Sequence, residues 1–319
     1  MNLLYLKALC EIVDHGLHLS QAAQTLHRSQ PALSRQIQQL ESELGVTLFE
    51  RNRNRLISLT SQGKEIVEIA RRMVNDARNM NSVAQDTIAG ARGELAVATT
   101  HTQARYTLPS VIHPFMEKHP GVTLSLLQGT PVQCCDMVAN GRADIAICTE
   151  TGPRDDILLI PCYLLQRIVI TPARHPLGRV RPLTLEAIAR YPIITYAEGF
   201  SGRAIVDRTF RNAGLTPKVL LSAIDADISK AYVEMGLGIA ILASVAFDSK
   251  RDKPLRRLPA DHLFEASRLN VVVRQNAYLR GFTLSFMQMF APDLSISEIR
   301  QMVSNPTAPR LRKRNLPFL

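Results

Sequence analysis

The sequence predicts an N-terminal all-α winged helix-turn-helix with a linker helix, and a C-terminal α/β part of two lobes. Three patterns support this fold class. Apolar residues repeat at helical spacing within residues 19–45, between capping residues and a glycine. A second helical repeat runs from Lys64 to about Ala89. From Leu95 onward, strand-like and helix-like segments alternate, which is typical of α/β folds.

Changes in periodicity and charge place the domain boundaries. The chain is expected to cross between the lobes near residues 162 and 268. The predicted parts are 1–60 for the winged helix-turn-helix, 61–90 for the linker helix, 91–162 with 269–292 for the first lobe, 163–268 for the second lobe, and 293–319 for a basic tail; the two lobes together form an effector-binding domain, 91–292.

The composition excludes several classes of protein. The chain has 319 residues, of which 46% are apolar, and no apolar run reaches the roughly 18 residues of a membrane span. The N-terminus carries acidic residues and a helical repeat where a signal peptide would be apolar or basic, so we expect a cytoplasmic protein. The five cysteines are an odd number without a C-x-x-C pair. We therefore expect reduced, structural thiols and no metal site.

The charge of +10 suggests a polyanionic partner, but its distribution is uneven. Residues 1–90 hold 10 basic and 9 acidic residues. Half of the excess lies in residues 300–319, which include Arg310, Arg312 and Arg314. Nucleic-acid binding must therefore be argued from local placement, and we expect the tail from Ser304 to be disordered or loosely docked.

The second helix of the predicted helix-turn-helix has an apolar back and a polar front. Ser20 can cap the short helix before it, Ser29 can cap the second helix, Pro31 fits its first turn and Gly45 can end it. A solvated amphipathic helix is the alternative for this segment alone, whereas a recognition helix presents hydrogen-bonding groups to base edges and phosphates. The buried stripe is Leu33, Ile37, Leu40 and Leu44, and the candidate DNA contacts are Arg28, Ser29, Gln30, Pro31, Ser34, Arg35 and Gln38.

A basic hairpin follows within Leu48–Gly63. Arg51, Arg53 and Arg55 occupy alternate positions, as expected for a wing that reaches the DNA backbone or minor groove. We assign Arg53 and Arg55 as candidate DNA contacts. Arg51 either contacts DNA as well or pairs with an acidic residue inside the domain.

The linker helix has one apolar seam with a three-four repeat. A single seam needs a partner, and antiparallel pairing with a second copy would give a dimer with two recognition helices. The seam comprises Ile66, Ile69, Ala70, Met73, Ala77, Met80, Ala84, Thr87 and Ile88.

These features in this order resemble the LysR-type transcriptional regulators. The resemblance rests on SQPALSRQIQQLESELGVTLFERN, then LTSQG, then the linker helix, and it extends over the whole chain. It implies a ligand cleft between two lobes like those of periplasmic solute-binding proteins. It also implies a homodimer or homotetramer whose partners are promoter DNA, RNA polymerase and a small-anion effector, and no membrane.

Polar stretches follow three predicted strands, at residues 99–103, 148–150 and 198–203. Ligands of open α/β sheets bind beyond such strand ends, and neutral hydroxyls and helix N-termini suit tetrahedral anions. Capping of the following helix is the alternative. The candidate effector contacts are Thr100, Thr102, Gln103, Thr149 and Ser201, and Arg105 or Arg203 is the cation expected nearest to them.

The stretches TTHTQARYTLP, CTE, EGFSGR and DADISKAYVEMGLGIAILAS resemble the LysR-type regulators of sulfur assimilation and cysteine synthesis. This resemblance implies an activator with sulfate in the cleft and N-acetylserine or O-acetylserine as inducer, without another cofactor. The matching pocket positions are the same five residues. That group usually has Thr at the position of Ser201, which keeps the hydroxyl.

An enzyme is the competing class. The sequence contains no H-E-x-x-H, G-x-S-x-G or P-loop motif. A thiol–imidazole pair of His101 with Cys135 or Cys148 is the remaining catalytic arrangement, and we expect no catalytic site. A LysR-type regulator of another small-anion pathway and a solute-binding protein are further alternatives.

Overall fold

The computed structural model describes residues 2–52, 55–86, 92–149, 151–152, 154–275, 277–304 and 315–319. The chain divides into two compact units, Met1–Gly90 with Asn140–Arg142, and Ala91–Ala139 with Ala143–Leu319. No helix among the described residues combines the length and apolar character needed to cross a membrane.

The first unit is a winged helix-turn-helix followed by one long helix, as predicted. Its hydrophobic core gathers side chains from all four helices and from the hairpin. The elements are α1 Leu3–Asp14, α2 Leu19–Thr25, α3 Gln30–Leu44, β1 Phe49–Asn52, β2 Arg55–Leu59 and α4 Ser61–Asp86.

The ends of α3 follow the sequence prediction. The Ser29 hydroxyl accepts a hydrogen bond from the Ala32 amide at 3.3 Å, and Gly45 ends the helix in the left-handed conformation at φ 69°. Two expectations were wrong. Leu44 is 36% exposed and lies outside the core, and Ser20 lies inside α2, whose N-cap is His18.

Helix α4 carries two apolar lines instead of one seam. Val67, Ala70 and Val74 are buried in the core of the first unit. The outer line remains exposed: Ile69 at 47%, Met73 at 39% and Met80 at 75%. Thr87 and Ile88 of the predicted seam, and the side chain of Ala84, lie outside the described residues.

The second unit contains two mixed sheets, one in each lobe. The strands are β3 Gly93–Thr99, β4 Val122–Gln128, β5 Ile145–Thr149, β6 Ile157–Leu165, β7 Arg167–Pro172, β8 Ile193–Tyr196, β9 Val219–Ala223, β10 Ile239–Ala243, β11 Leu255–Pro259 and β12 Ser267–Arg274. The sheet orders are β4-β3-β5-β12-β6 in the first lobe and β11-β7-β10-β8-β9 in the second.

Helices cover both sheets. Buried apolar clusters lie between the helices and each sheet face. The helices are α5 His101–Tyr106, α6 Pro109–Lys118, α7 Pro131–Ala139, α8 Leu185–Ala189, α9 Ser201–Asn212, α10 Ala226–Glu234, α11 Gly281–Phe290 and α12 Ile296–Ser304, with short 3₁₀ helices at Pro176–Arg179 and Ser244–Ala246.

The predicted parallel sheet is correct for part of each lobe. Strands β4, β3 and β5 are parallel, as are β9, β8 and β10, but β12 runs antiparallel to both of its neighbours, β5 and β6. Sequence analysis missed β6 and β11. Pro161 interrupts β6 near a register shift, and two exposed arginines occupy the middle of β11, so neither segment shows a plain strand pattern.

Part of the predicted basic tail belongs to the folded unit. Helix α12 lies within residues 293–319, and its Ile299 is fully buried in the core of the first lobe. Farther along, the Leu164 amide donates to the Pro317 carbonyl at 2.9 Å, and the Leu319 amide donates to the Leu164 carbonyl at 3.1 Å. The chain end is therefore docked on β6, while the basic cluster at 310–314 lies outside the described residues.

Candidate anion pocket and nucleic-acid interface

A small cavity lies between the two lobes of the second unit, beyond the ends of several strands. Its volume is about 30 Å³, so its occupant is limited to a few heavy atoms unless the lobes move. All five candidate effector residues line it. The lining is Thr100, Thr102, Gln103, Thr149, Leu165, Arg167, Tyr196, Phe200, Ser201, Gly202 and Ala243.

The first lobe contributes four of the candidate residues. The strand β3 ends at Thr99, whose hydroxyl donates to the Ile147 carbonyl of β5 at 2.8 Å and so aligns the two strand ends. Thr100 is the N-cap residue of α5, but its side chain makes no capping hydrogen bond. The capping alternative is therefore wrong for Thr100, and its buried hydroxyl is left for the cavity.

The second lobe contributes the N-terminus of α9. Phe200 is the N-cap residue and provides no side-chain cap, so Ser201 and Gly202 begin the helix with backbone amides that face away from it. A Cβ atom at Gly202 would lie 3.0 Å from the Tyr196 ring and 3.5 Å from Arg167 Nη2. Glycine is needed here because the helix end approaches both side chains closely, and this end can bind an anion.

Hydroxyl groups connect the two lobes across the cavity. The Ser201 hydroxyl donates to Thr149 Oγ1 at 2.8 Å and lies 3.4 Å from the Ser267 hydroxyl. Gln103 Oε1 accepts a hydrogen bond from Thr107 at 2.8 Å, which orients the amide group of Gln103. Neutral hydrogen-bonding groups of both lobes thus meet at the cavity.

Arg167 is a lining residue that the sequence analysis missed. Its side chain is 2% exposed, and its guanidinium donates to the Ser267 hydroxyl. The available signal was a charged residue at the start of the apolar strand β7. A buried guanidinium attracts an anion strongly because little water screens it.

The expected cations are engaged elsewhere. Arg105 lies 3.5 Å from an Asp227 carboxylate oxygen, and Arg203 Nε donates to Asp207 at 2.7 and 2.9 Å. Neither residue lines the cavity. The prediction that Arg105 or Arg203 supplies the nearest positive charge was therefore wrong.

Tyr196 is a second lining residue that the sequence analysis did not assign. Its hydroxyl is buried beside Thr102 and the Ala243 backbone, and it has no well-aligned hydrogen-bond acceptor among the residues that the structure describes. Burial raises the pKa of Tyr196, so the hydroxyl stays protonated and can donate. An unsatisfied buried donor beside the cavity is costly, and a bound acceptor would relieve that cost.

A separate cluster beside α5 joins the lobes without lining the cavity. Tyr106 of the first lobe donates its hydroxyl proton to Asp227 of the second lobe. The Lys230 ammonium lies 5.0 Å from the centre of the Tyr106 ring and pairs with Asp252 at 3.0 Å. Asp225 caps α10 by accepting from the Ile228 amide at 2.7 Å. Lys230 and Asp225 are thus structural residues.

The catalytic alternative has no support in the geometry. His101 Nδ1 is buried and has no hydrogen-bond partner among the described residues. Cys135 contacts the Cys148 sulfur and the Thr151 hydroxyl. Within the described part of the chain, no group of three or more His, Cys, Asp or Glu residues is arranged to hold a metal ion.

The candidate DNA contacts of the first unit share one accessible face. Ser34 is half-buried beside the stripe that anchors α3, and the other candidates on this helix and before it are exposed. This is the arrangement of a helix that inserts its polar front into a groove. The exposed set is Arg28, Ser29, Gln30, Pro31, Arg35 and Gln38.

In the wing, Arg51 is structural. Its guanidinium pairs with Glu41 Oε2 at 2.7 Å, while Glu41 Oε1 accepts from the Leu48 amide at 2.8 Å. Glu41, which the sequence analysis did not assign, thus fixes the start of the hairpin. Arg55 is exposed on β2, and Arg53 lies outside the described residues.

Comparison with known families identifies both units. Residues 3–64 match the model of the bacterial regulatory helix-turn-helix protein, lysR family, and residues 89–295 match that of the LysR substrate binding domain. The structure is similar to the cofactor-binding domain of the Cbl transcriptional regulator, with a TM-score of 0.65 and 38% identity over 67% of this chain and 95% of that chain. It also shares its fold with full-length CbnR complexed with target DNA, with a TM-score of 0.63 and 22% identity over 92% and 100% of the two chains.

Three curated relatives are similar over nearly the full length. The transcriptional regulator SsuR of Burkholderia cenocepacia is 46% identical over 94% of this chain and 97% of that protein. The regulator CysB of the same organism is 40% identical over 94% and 96% of the two chains. The regulator cbl of Escherichia coli is 38% identical over 95% and 96%.

Proposed function

Since the chain belongs to the LysR family of transcriptional regulators, we propose that it controls sulfur-assimilation genes in response to a small oxyanion, with sulfate as the first candidate. Family membership itself makes the chain a DNA-binding transcriptional regulator and not an enzyme. The similarity to SsuR, CysB and Cbl supports the sulfur-related pathway.

One observation carries the effector proposal. Five separately predicted polar residues surround a single cavity, and the buried Arg167 lies among them. Hydroxyls, an amide and the N-terminus of α9 supply several donors, and one guanidinium supplies charge. Many short hydrogen bonds to a dianion are a strong form of recognition in a site that excludes water.

The donor-rich lining favours sulfate over protonated oxyanions. Sulfate accepts hydrogen bonds at all four oxygens, whereas a protonated phosphate must also donate one. At that oxygen, a guanidinium or backbone amide of the protein would face a ligand donor, and only a hydroxyl could turn to accept. The cavity of about 30 Å³ also favours the smallest oxyanions.

Acetylserine-type inducers are larger, so in this proposal N-acetylserine or O-acetylserine binds a more open arrangement of the lobes. An inducer that binds the open arrangement shifts the equilibrium between the two lobe arrangements toward the open one. An anion that binds the closed arrangement shifts it in the opposite direction. The change in lobe geometry is the signal that activates transcription together with RNA polymerase.

The proposal includes assembly through α4. Its outer apolar line, with Ile69, Met73 and Met80, remains exposed beside the buried inner line. Exposed apolar residues at helical spacing suit pairing with the same helix of a second copy. The resulting homodimer, or a homotetramer built from two dimers, would place several recognition helices on one promoter.

Two measurements on the full-length protein test this function. Calorimetry with sulfate, and with phosphate as a matched competitor, measures effector selectivity. DNase footprinting on a promoter of a sulfur-assimilation gene, with and without N-acetylserine, measures regulation. We expect sulfate to bind more tightly than phosphate and the inducer to change the footprint.

Failure of each measurement has a distinct meaning. Absence of binding by both sulfate and phosphate would reject the oxyanion pocket. A footprint that no acetylserine changes would reject the sulfur pathway while leaving the LysR-type regulator intact. Tight binding of a different oxyanion would assign the chain to another small-anion pathway.

A further inference from the structure

Two buried cysteines lie in contact directly behind the cavity. Cys135 on α7 and Cys148 on β5 have their sulfur atoms 4.0 Å apart. Cys148 immediately precedes Thr149, which lines the cavity. All five cysteines are buried thiols outside any disulfide, but Cys10 and Cys162 belong to other apolar clusters.

The two thiols have different surroundings. The Cys135 sulfur lies 3.6 Å from the Thr151 hydroxyl, and Cys148 points its sulfur toward the Pro131 carbonyl at 3.8 Å. The contact with the Cys148 thiol lowers the pKa of Cys135, helped by Thr151 and the charge of Arg154, and this outweighs burial. The same contact and burial raise the pKa of Cys148. Cys135 is therefore the more nucleophilic sulfur.

Cys135 lies close to less buried residues. Thr151 and Arg154 are only half-buried, and the Cys135 sulfur lies 3.6 Å from the Thr151 hydroxyl. Since neither sulfur is itself exposed, a small oxidant that slips past Thr151 can react where a bulky disulfide reagent cannot.

We propose that Cys135 and Cys148 are a peroxide-sensitive dithiol whose oxidation weakens the oxyanion pocket. The Cys135 thiolate attacks one oxygen of a hydroperoxide, the O–O bond breaks, and the leaving oxygen takes up a proton to give water or an alcohol. The resulting sulfenic acid is attacked by the Cys148 sulfur. The S–O bond breaks, water leaves with the Cys148 proton, and a disulfide forms. Two thiols are oxidised and one hydroperoxide is reduced.

The effect on the pocket follows from distance. A disulfide requires a sulfur–sulfur distance of about 2.05 Å, so α7 and the end of β5 must approach each other or rotate. Thr149 is the next residue after Cys148, so this movement disturbs its contact with Ser201, whose hydroxyl donates to it at 2.8 Å. This part of the inference depends on the proposed oxyanion function, whereas disulfide formation does not.

The first test is mass mapping of the full-length protein after treatment with hydrogen peroxide and alkylation under denaturing conditions. We expect a peptide linked between Cys135 and Cys148, a loss of about 2 Da, and reversal by dithiothreitol. The variant C148S should stop at a dimedone-reactive sulfenic acid on Cys135. The control C134S, which changes the adjacent thiol, should still form the link. Oxidation without this linked peptide, or preferential oxidation of Cys10 or Cys162, would overturn the proposal.

The second test compares sulfate affinity in reduced and oxidised protein. We expect oxidation to weaken binding at least tenfold in the wild type and to leave binding by C135S unchanged. A disulfide that forms without changing sulfate affinity overturns the coupling. If reduced protein binds no sulfate, the proposed oxyanion function is rejected. Mass mapping alone then tests whether Cys135 and Cys148 form a disulfide.

Discussion

Ser201 of the second lobe donates a hydrogen bond of 2.8 Å to Thr149 of the first lobe. The contact joins the lobes at the cavity, because two groups that could hold an anion satisfy each other. An oxyanion that binds here must take over both hydroxyls. The same pair can therefore link the lobes either directly or through a shared ligand.

This relationship predicts a difference between two substitutions at one position. Ser201→Ala removes the hydroxyl, and we expect sulfate affinity to fall by about 1.5–3 kcal/mol, the value of a hydrogen bond to a charged group. Ser201→Thr keeps the hydroxyl and should bind sulfate as the wild type does. Isothermal calorimetry checks both variants. Equal affinities of the alanine and threonine variants would remove Ser201 from the site.

Arg167 provides a test of charge. Arg167→Met replaces a buried guanidinium by an apolar side chain of similar length, so the ligand-free protein should melt at the same temperature or higher. Sulfate should no longer raise the melting temperature, because ligand stabilisation requires binding. Arg167→Lys keeps the charge and should retain part of the effect. Full sulfate stabilisation of the methionine variant would show that Arg167 does not contact the anion.

The sequence predicted the threonines that line the cavity but not Arg167, which also lines it. Thr100, Thr102 and Thr149 follow apolar strands, and strand ends of an α/β sheet converge in space, so their meeting could be expected. Arg167 could not be placed, because it starts β7 and faces the cavity only through the crossover from β6. The sequence placed that crossover near residue 162, inside β6, because Pro161 hides the strand; in the structure the chain crosses at residue 166, between β6 and β7.

In the first unit, local patterns were nearly sufficient. The caps of α3 and the hairpin follow from short-range chemistry at Ser29, Gly45 and the alternating wing. The two apolar lines of α4 did not follow from the sequence. Whether Val67 or Ile69 faces inward depends on how α1 packs against α4, which is a tertiary contact with no local signal.

Tyr106 and Asp227 predict a pH-dependent connection between the lobes. Burial raises the pKa of Asp227, but the Tyr106 hydrogen bond and the charges of Lys230 and Arg105 outweigh burial and hold it below its usual value. A carboxyl with a lowered folded pKa contributes stability above its unfolded pKa of about 4 and loses it as the pH falls through the folded pKa. Tyr106→Phe should therefore destabilise the protein at pH 7 and have little effect at the lowest pH where the protein remains folded.

Urea denaturation of both proteins from pH 7 down to pH 3 measures this difference. Tyr278→Phe, which removes a hydroxyl from an exposed tyrosine, is the matched control and should have no effect at any pH. A difference between wild type and Tyr106→Phe that stays constant with pH would exclude a role for the Asp227 charge.

The wing arginines predict opposite effects on stability and DNA binding. Arg51 pairs with Glu41, so Arg51→Ala should lower the free energy of unfolding by about 1 kcal/mol or less, as for partly exposed ion pairs. Arg55 is exposed, so Arg55→Ala should leave stability unchanged. The DNA affinity of the Arg55→Ala variant should fall for all sequences. The slope of log affinity against log salt concentration should become less steep by about one.

Fluorescence anisotropy on one operator and one unrelated duplex, at several salt concentrations, checks this contrast. Arg211→Ala removes an exposed arginine of the second unit and is the control for net charge. Because phosphate contacts carry no sequence information, Arg55→Ala should weaken both duplexes equally. If it weakens only the operator, Arg55 reads bases. If Arg51→Ala changes the salt slope as much as Arg55→Ala does, Arg51 also contacts phosphate, and its pairing with Glu41 is exchanged for DNA on binding.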